Sequence, residues 1–380
     1  MSRRTEYRLL FDNQSATREQ IDRIETITVE QQVDMAWEAR MEIPICLDRR
    51  GRWTGWDKKF MQPETRVRVE ISVVDDRFVP LIDGPLVGVE QSKQFEPGQS
   101  SLTLIARDDS VYLNRDDHRF NYTNNQSDRQ IINDIFSQYK QIHDVKIDDD
   151  VSSSAGGSSP LCGNGTAMQI LTDLAKVYGK HVYVLPGSDP GQSIACFKAL
   201  PGESDMQTES LPPLILLGQE ANFHNLDHSQ DMTRPLEASA STLQSSDPSP
   251  VSSSGSYLDR TPLGETGALP EGAQPARRLL RPNPFMRRRM DRAVSATAEE
   301  SSYAFQASGS TIDGCYRGVL RPYHLVAVRA SESAESGSYV IFRVTHTLTR
   351  SMYSQSFTLR RNAQSRTGSE SQASLRHQVG

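Results

Sequence analysis

The clearest pattern of apolar and polar positions lies near the carboxyl terminus, in residues 338–362. Apolar side chains recur at every second position in two runs, while Arg343, Thr345 and Thr347 fill the alternate positions of the first run. The apolar set consists of Val340, Phe342, Val344, His346, Leu348, Phe357 and Leu359. A period of two is typical of strands that bury one face. The pattern therefore predicts a β-hairpin with one dry and one wet face, joined by a loop at residues 350–354.

The same period recurs within the first 115 residues. In residues 66–73, for example, Val67 and Val69 alternate with charged side chains. Asp83 and Gly84 form a predicted turn between two short strands. Several short antiparallel strands joined by polar turns are typical of a barrel or a sandwich. The predicted strands are 33–44, 66–73, 78–81, 86–89 and 102–106.

Between residues 121 and 210 the period changes to that of amphipathic helices. Two pairs match the capping box that begins a helix, and Gly179 is suited to end the second helix. These pairs are Ser127 with Gln130 and Thr166 with Gln169. A flexible loop is predicted at residues 151–160, and a short hairpin at residues 181–185 and 193–200. This region is therefore predicted to be a small α/β insert in a β protein.

Residues 244–301 lose all periodicity and are rich in Ser, Pro, Gly and Arg. Such a composition buries too little apolar surface to offset the entropy of ordering, which predicts a long disordered linker. Inside it lies an arginine segment, which is either a solvated charged run or a docking peptide for an acidic partner, with nucleic acid as a third alternative. The possible partner-docking residues are Arg277, Arg278, Arg281, Arg287, Arg288, Arg289 and Arg292. Residues 363–380 form a predicted disordered tail.

The totals narrow the class of protein. At 380 residues the chain is too long for one core, and its formal charge of −6 argues against a general nucleic-acid binder. The four cysteines have no metal-like spacing, which favours a reduced cytosolic origin. We find no apolar run suited to a secretory signal or to a membrane span. A protein of this kind is expected to leave the cell within an assembly or after lysis.

Few residues suggest chemistry. His224, Asp227 and His228 include two histidines four positions apart, which would share one face of a helix and could bind zinc. Their surroundings resemble extended chain, however, where such histidines lie more than about 12 Å apart. Asp148–Asp150 lack the spacing of a calcium loop, and a solvated loop is expected there. His346 is expected to be a satisfied core histidine. We therefore predict no catalytic residue, no metal site and no cofactor.

Two stretches of the sequence resemble a known family. The hairpin begins with Gly-Ser-Tyr-Val, carries Val-Thr-His-Thr at its centre and closes on Thr-Leu-Arg-Arg. This ending resembles the last hairpin of the phage late control D family, the tail-hub proteins of contractile phages and contractile injection systems, which are related to the hub half of VgrG spike proteins. Residues 164–185, NGTAMQILTDLAKVYGKHVYVL, match the family's insert in order and type. One departure is Pro322-Tyr323, where the family often has Pro-Gly.

The resemblance covers residues 5–243 and 302–362, and it implies a β-rich α+β fold with two similar antiparallel β-barrel domains around a small α/β insert. The implied divisions are 1–120 for the first barrel, 121–210 for the insert, 211–243 with 302–362 for the second barrel, 244–301 for the linker and 363–380 for the tail.

The function that the resemblance implies is structural and not enzymatic. Three chains would form a pseudo-sixfold ring that adapts a hexameric inner tube to a trimeric spike. The implied partners are two further copies of the chain, a separate spike protein, the inner tube protein and other baseplate components, with no nucleic acid and no membrane insertion. The protein would be made in the cytoplasm and assembled into a tail-like particle.

Two alternatives from other classes remain open at this point. One is a phage-borne or secreted cell-wall hydrolase centred on His224, Asp227 and His228. The other is a β-sandwich carbohydrate-binding adhesin that uses Trp53 and Trp56 as a sugar platform. For the adhesin, the competing interpretation is that both tryptophans anchor their loop.

Overall fold

The computed structural model describes residues 5–54, 61–73, 77–96, 98–123, 125–151, 161–202, 211–243, 250–269, 272–281, 283, 285–286, 289–331 and 333–365. Within these residues the helices are α1 (Arg18–Arg23), α2 (Ser110–Leu113), α3 (Asp128–Phe136), α4 (Ala167–Tyr178) and α5 (Met290–Ser301). No helix in this part of the chain is long and apolar enough to cross a bilayer.

Strands dominate the fold. The first half of the molecule contains β1 (Glu6–Phe11), β2 (Gln14–Ser15), β3 (Thr26–Gln32), β4 (Glu38–Pro44), β5 (Arg66–Ser72), β6 (Val79–Ser92) and β7 (Ser101–Arg107). The insert contains β8 (Asp117–Tyr122), β9 (Ile142–Ile147), β10 (Leu161–Thr166), β11 (His181–Pro186) and β12 (Ser193–Lys198), together with α3 and α4.

The rest of the chain forms two further groups of strands. The second half consists of β13 (Leu214–Ile215), β14 (Asp227–Gln230), β19 (Phe305–Ser310), β20 (Leu325–Arg329), β21 (Gly337–Thr349) and β22 (Tyr353–Arg361). A side unit, defined as α5 with its three-stranded sheet, contains β15 (Leu236–Leu243), β16 (Pro250–Ser256) and β18 (Ala276–Leu279). The short strands β17 (Thr266–Gly267) and β23 (Ala363–Gln364) pair with each other.

The two halves have the same strand order. The first half runs β3-β4-β7-β6-β5-β1, and the second runs β14-β19-β22-β21-β20-β13. Each half places a long strand, β6 or β21, in the fourth position, and each long strand carries a bulge where it pairs with β7 or β22. The halves differ at the end of the series, because β1 pairs antiparallel to β5 whereas β13 pairs parallel to β20. The fold therefore contains an internal repeat.

Pairing of β21 with β3 joins the halves into one 13-stranded sheet. The closing hairpin that the sequence predicted is confirmed, with Val344, His346, Leu348 and Phe357 buried on one face. The β-rich α+β fold is likewise confirmed. A large apolar cluster beneath β3, β4, β6 and β7 also receives Tyr353 from the second half, so the core is continuous across the joint.

The predicted turn at Asp83 and Gly84 is wrong. β6 passes straight through these residues and changes partner from β5 to β7 near Leu86. A Cβ at Gly84 would lie 1.9 Å from the carbonyl oxygen of Arg107, so glycine is needed here for close approach of two backbones. Aspartate and glycine in sequence imitate a hairpin turn, and the buried partners of Asp83 were invisible in the sequence.

The predicted linker is wrong for the described residues of 244–301. Strands β16, β17 and β18 and helix α5 lie in this segment, and α5 packs on β15 and β16. Small side chains face inward on α5, including Ala293, Ala298 and Ser301, and Gly255 of β16 lies against the helix backbone. Helix and strand can therefore pack closely with little apolar surface, which is why the composition imitated disorder.

The insert agrees with the sequence patterns. Both capping boxes form, and Gly179 ends α4 with a φ of 62°, in the left-handed region that favours glycine. The hairpin β11–β12 gains a parallel partner in β9. The predicted loop at 151–160 lies outside the described residues except for Val151, as does the predicted tail beyond Ser365. Within that tail, β23 is ordered.

Candidate assembly site

One face of the 13-stranded sheet is polar across both halves. We call it the polar face, and its members are Thr26, Thr28, Glu30, Glu38, Arg40, Glu42, Glu90, Thr103, Arg107, Ser308, Ser310, Arg343, Thr345, Thr347, Ser356 and Thr358. These side chains are half-buried or exposed, and they alternate with core residues along their strands. The wet face of the closing hairpin is thus one part of a larger surface.

Ion pairs run across the polar face from strand to strand. Arg343 of β21 lies 2.6 Å from Glu30 of β3, and Arg107 of β7 lies 2.9 Å from Glu38 of β4. Arg40 bridges Glu38 at 3.2 Å and also contacts a carboxylate of β6. Exposed pairs of this kind contribute at most about 1 kcal/mol each. The face is therefore a hydrated surface of mixed charge, and it is stabilised mainly by the apolar side of the same strands.

A buried polar chain crosses the joint between the halves. His346 of β21 is fully buried, with Nδ1 2.9 Å from the hydroxyl of Tyr353 and Nε2 3.3 Å from Oε1 of Gln31 on β3. The Gln31 side-chain nitrogen donates to the carbonyl oxygen of Leu81 at 2.7 Å, so its Oε1 must accept from His346 Nε2–H. Nδ1 then accepts from Tyr353. The imidazole is neutral, and burial lowers the pKa of His346 to about 3.

A buried ionic cluster fixes the insert to the first half. Arg66 binds both oxygens of Asp109 and lies 2.6 Å from Asp83, while Arg68 lies 2.9 Å from the other oxygen of Asp83. Arg68 also donates to the carbonyl oxygens of Ser188 and of the residue after it, in the β11–β12 turn. Asp83 is fully buried and accepts a further bond from the same turn. Breaking such a network by removing one partner typically costs about 3–5 kcal/mol.

A second contact joins all three parts of the molecule. The ring of Tyr323, from the second half, stacks on Tyr183 of the insert with centroids 3.6 Å apart. Its hydroxyl accepts from the backbone N–H of Asp34, in the β3–β4 turn, at 2.9 Å. Nδ1 of His181 lies 2.7 Å from a carboxylate oxygen of Asp34. The two halves and the insert therefore form one interlocked scaffold beneath the polar face.

Tyr323 adopts a φ of 64°, a conformation that glycine accepts without strain. This is the position where the resembled family often has glycine. The backbone conformation is therefore compatible with the family's pattern, and the cost of a side chain there is offset by its stacking and hydrogen bond.

The predicted docking arginines fall into two groups. Arg277 and Arg278 lie on β18, an edge strand whose four residues are all exposed, and Arg281 is exposed just after it. Arg277 pairs with Glu237 at 3.3 Å. Docking of a partner at this first group stays a prediction.

The second group faces the insert of the same chain. Arg289 lies 3.5 Å from Asp128, and Arg292 donates to the carbonyl oxygen of Asp150 at 2.9 Å. Arg292 also lies over the ring of Tyr178 at 5.1 Å. These contacts fasten the side unit to the insert. Arg287 and Arg288 lie outside the described residues.

The residues considered for chemistry do not converge. Asp227 and His228 are neighbours on β14, so their side chains point to opposite faces of the sheet, and His224 precedes the strand. Across the described residues, no group of three or more His, Cys, Asp or Glu side chains could hold a metal ion. Asp148 and Asp150, predicted to be solvated, both contact Lys180, at 3.0 and 2.8 Å.

The tryptophan and cysteine predictions can be compared in part. Trp53 is half-buried, packs against the large core and has Lys93 5.5 Å from its ring, which agrees with a loop anchor. Trp56 lies outside the described residues. All four cysteines are free; Cys196 is buried, which raises the pKa of its thiol to about 11.

Sequence reasoning missed the residues that hold the site together. Strand β3 was not predicted, because its inward positions read Ile27, Val29 and Gln31 and the third is polar. A glutamine that continues an apolar alternation could have indicated a buried amide with a partner on another strand. Arg68 gave no such indication, since an arginine within a charged alternation is normally exposed.

Comparison with known proteins gives matches of structure only. No protein-family model matches the chain, and no curated protein is found as a relative. The 43 kDa tail protein of prophage MuSo2 from Shewanella oneidensis superimposes with a TM-score of 0.65 at 12% identity, covering 94% of this chain and 98% of that one. A tail protein from Neisseria meningitidis gives 0.59 at 14% identity, covering 95% and 97%.

A chain of the Francisella PdpA–VgrG complex gives a TM-score of 0.54 at 9% identity, covering 97% of this chain and 60% of that one. At such identities the similarity shows the fold alone. The fold that the sequence resemblance implied, shared with phage tail proteins and with a VgrG complex, is confirmed.

Proposed function

We propose that this chain is a structural baseplate hub of a contractile phage tail or injection system, in which three copies form a pseudo-sixfold ring between a hexameric inner tube and a trimeric spike. The observation that carries the proposal is the internal repeat. Each chain presents two sheets with the same strand order, so three chains present six. A ring of this kind offers six similar surfaces to the tube and three identical ones to the spike.

The sheet supplies the surface that such a ring needs. The polar face spans both halves without a break, because β21 and β3 pair through seven residues. In the ring we assign this face to the central channel, where a hydrated surface of mixed charge is compatible with passage of a tube or cargo. The apolar side lies against the core and leaves the scaffold rigid.

The divisions of the chain follow from the same proposal. Residues 1–120 and 211–243 with 302–362 supply the two ring-forming domains, and 121–210 supply the insert. The segment 244–301 is reassigned from linker to the side unit and the strands beside it. Its exposed edge, with Arg277, Arg278 and Arg281, is the proposed contact for another baseplate component with an acidic surface.

The remaining partners are a separate spike polypeptide and the inner tube protein. The role is structural and not enzymatic: the protein transmits force from sheath contraction through its subunit contacts and uses no cofactor. It is made in the cytoplasm and incorporated into the tail-like particle.

Reconstitution tests this function. The protein is mixed with the tube and spike proteins encoded beside it, and the mixture is separated by size. We expect a complex that contains all three proteins and requires the hub to link the other two. Tube and spike that associate equally well without this chain, or a chain that binds neither, would overturn the proposal.

A further inference from the structure

Two strand edges of the sheet lack a partner among the described residues. The last part of β6, Gly88 to Ser92, pairs with β7 on one side, while β5 accompanies only the earlier part of the strand. β14 pairs with β19 on one side and has no strand on the other. Unpaired edges expose backbone N–H and C=O groups that can accept a strand from another chain.

The internal repeat shows what each open edge corresponds to. Aligning the two bulges makes Val87 of β6 equivalent to Phe342 of β21, because in each strand this residue is passed over in the pairing with the next strand. β6 residues 88–92 then match β21 residues 343–347. In the same way, Val29 on β3 matches His228 on β14, since each lies opposite an equivalent alanine of the next strand.

Within one chain these equivalent edges already meet. β21 pairs with β3, with Thr345 opposite Glu30 and His346 opposite Val29. The copy of this joint would pair β6 with β14. The first half and second half of one chain cannot provide it to each other, because β6 and β14 lie near opposite ends of its strand order.

We infer that β6 of one copy pairs antiparallel with β14 of a neighbouring copy, in the register of the β21–β3 joint. Glu90 then lies opposite Ser229, Gln91 opposite His228 and Ser92 opposite Asp227. This inference rests on the proposed hub function and names the surface through which its subunits join. The contact is head-to-tail, because different edges meet, so repetition of it closes into a ring.

Two further observations point to a partner at these edges. Nε2 of His228 is buried and has no hydrogen-bond partner among the described residues, although the neighbouring edge of the strand is open. In the inferred register it faces the exposed Gln91 of the next copy. The internal joint likewise places an imidazole beside an amide, His346 beside Gln31. An imidazole and an amide therefore meet at both joints.

The second observation concerns exposed apolar side chains. Val87 is 42% exposed at the bulge of β6, and Met232 is 61% exposed just after β14. Their equivalents at the internal joint are Phe342 and Val33, which are hydrogen-bonded through their backbones at 2.9 Å. The inferred contact therefore covers two apolar groups that a separate chain leaves in water.

Cysteine pairs test the register directly. In a background where Cys46, Cys162 and Cys315 are replaced by serine, we expect Glu90→Cys/Ser229→Cys to form intermolecular disulfides under mild oxidation. Ser92→Cys/Asp227→Cys is a second pair opposite in register and guards against a local folding defect. Glu90→Cys/Asp227→Cys is the control, because its diagonal spacing of about 7–8 Å is too long for a disulfide.

The expected result is covalent multimers in about tenfold excess over the diagonal control, in both opposite pairs. Light scattering of the unoxidised variants separates the two levels of the proposal. A ring-sized oligomer without disulfides at either opposite pair overturns the strand contact and leaves the hub function standing. A monomer without disulfides overturns both, and equal yields from the diagonal control overturn the register.

Discussion

Protonation of His346 provides a measurable test of how the two halves are joined. The unfolded chain takes up this proton below about pH 6.5, whereas burial lowers the pKa in the folded protein to about 3. The contribution of the neutral histidine to stability is therefore complete above about pH 6.5 and is lost as the pH falls toward 3. Between pH 7 and pH 5 the loss is about 2 kcal/mol of unfolding free energy.

Asp108 works in the opposite direction and supplies an internal comparison. It is fully buried and accepts from the backbone N–H groups of Trp37 and Ser110, and burial raises the pKa of its carboxyl to about 6. The folded protein therefore binds this proton more tightly than the unfolded chain does. Its contribution to stability is present at low pH and falls as the pH rises through 6, with a difference of about 1 kcal/mol between pH 5 and pH 7.

Urea unfolding of His346→Gln and of the parent protein at several pH values is the assay. The destabilisation caused by the substitution should shrink by about 2 kcal/mol from pH 7 to pH 5, because the variant no longer loses stability by protonation. Asp108→Asn should show a change of the opposite sign. His143→Gln, on the exposed side of β9, is the matched control. A destabilisation by His346→Gln that is constant with pH would refute a buried neutral imidazole at the joint.

Three further substitutions test other parts of the scaffold. Arg68→Met should lower the unfolding free energy by about 3–5 kcal/mol, since it leaves buried carboxylate without its partner, whereas Arg52→Met on the exposed surface should change it by less than about 1 kcal/mol. Gly84→Ala should destabilise by more than about 2 kcal/mol because its Cβ would meet backbone at 1.9 Å, while Gly88→Ala, with a nearest contact of 3.6 Å, should be tolerated. Tyr323→Phe should cost about 1 kcal/mol through its lost hydrogen bond, and Tyr323→Gly should cost more, because the lost stacking exceeds the roughly 1 kcal/mol of strain that glycine relieves. Equal effects within any pair, measured by urea unfolding, would contradict the contact concerned.

Local patterns predicted the local structure well. The period of two located the closing hairpin, and the capping boxes located α3 and α4 almost to the residue, because these elements are determined by neighbours in sequence. Pairing of β21 with β3 joins residues more than 300 positions apart. No local pattern specifies such a contact.

The misses have the same physical origin. Asp83 and Gly84 imitated a turn, yet their roles are set by Arg66, Arg68 and the backbone of β7. The side unit imitated disorder because its helix packs through alanine and serine. Gln31 and His346 form the buried joint through partners on distant strands, so their roles became visible only once the strands were in place.

The hub proposal depends most directly on the number and symmetry of its subunits. Mass photometry and electron-microscopic class averages of the purified protein, alone and bound to its tube protein, measure both. Three chains of 42.5 kDa predict a ring of about 128 kDa with six similar lobes around a central channel. A particle that stays at the mass of one chain under both conditions, or a closed ring with a number of lobes other than six, would contradict the proposal.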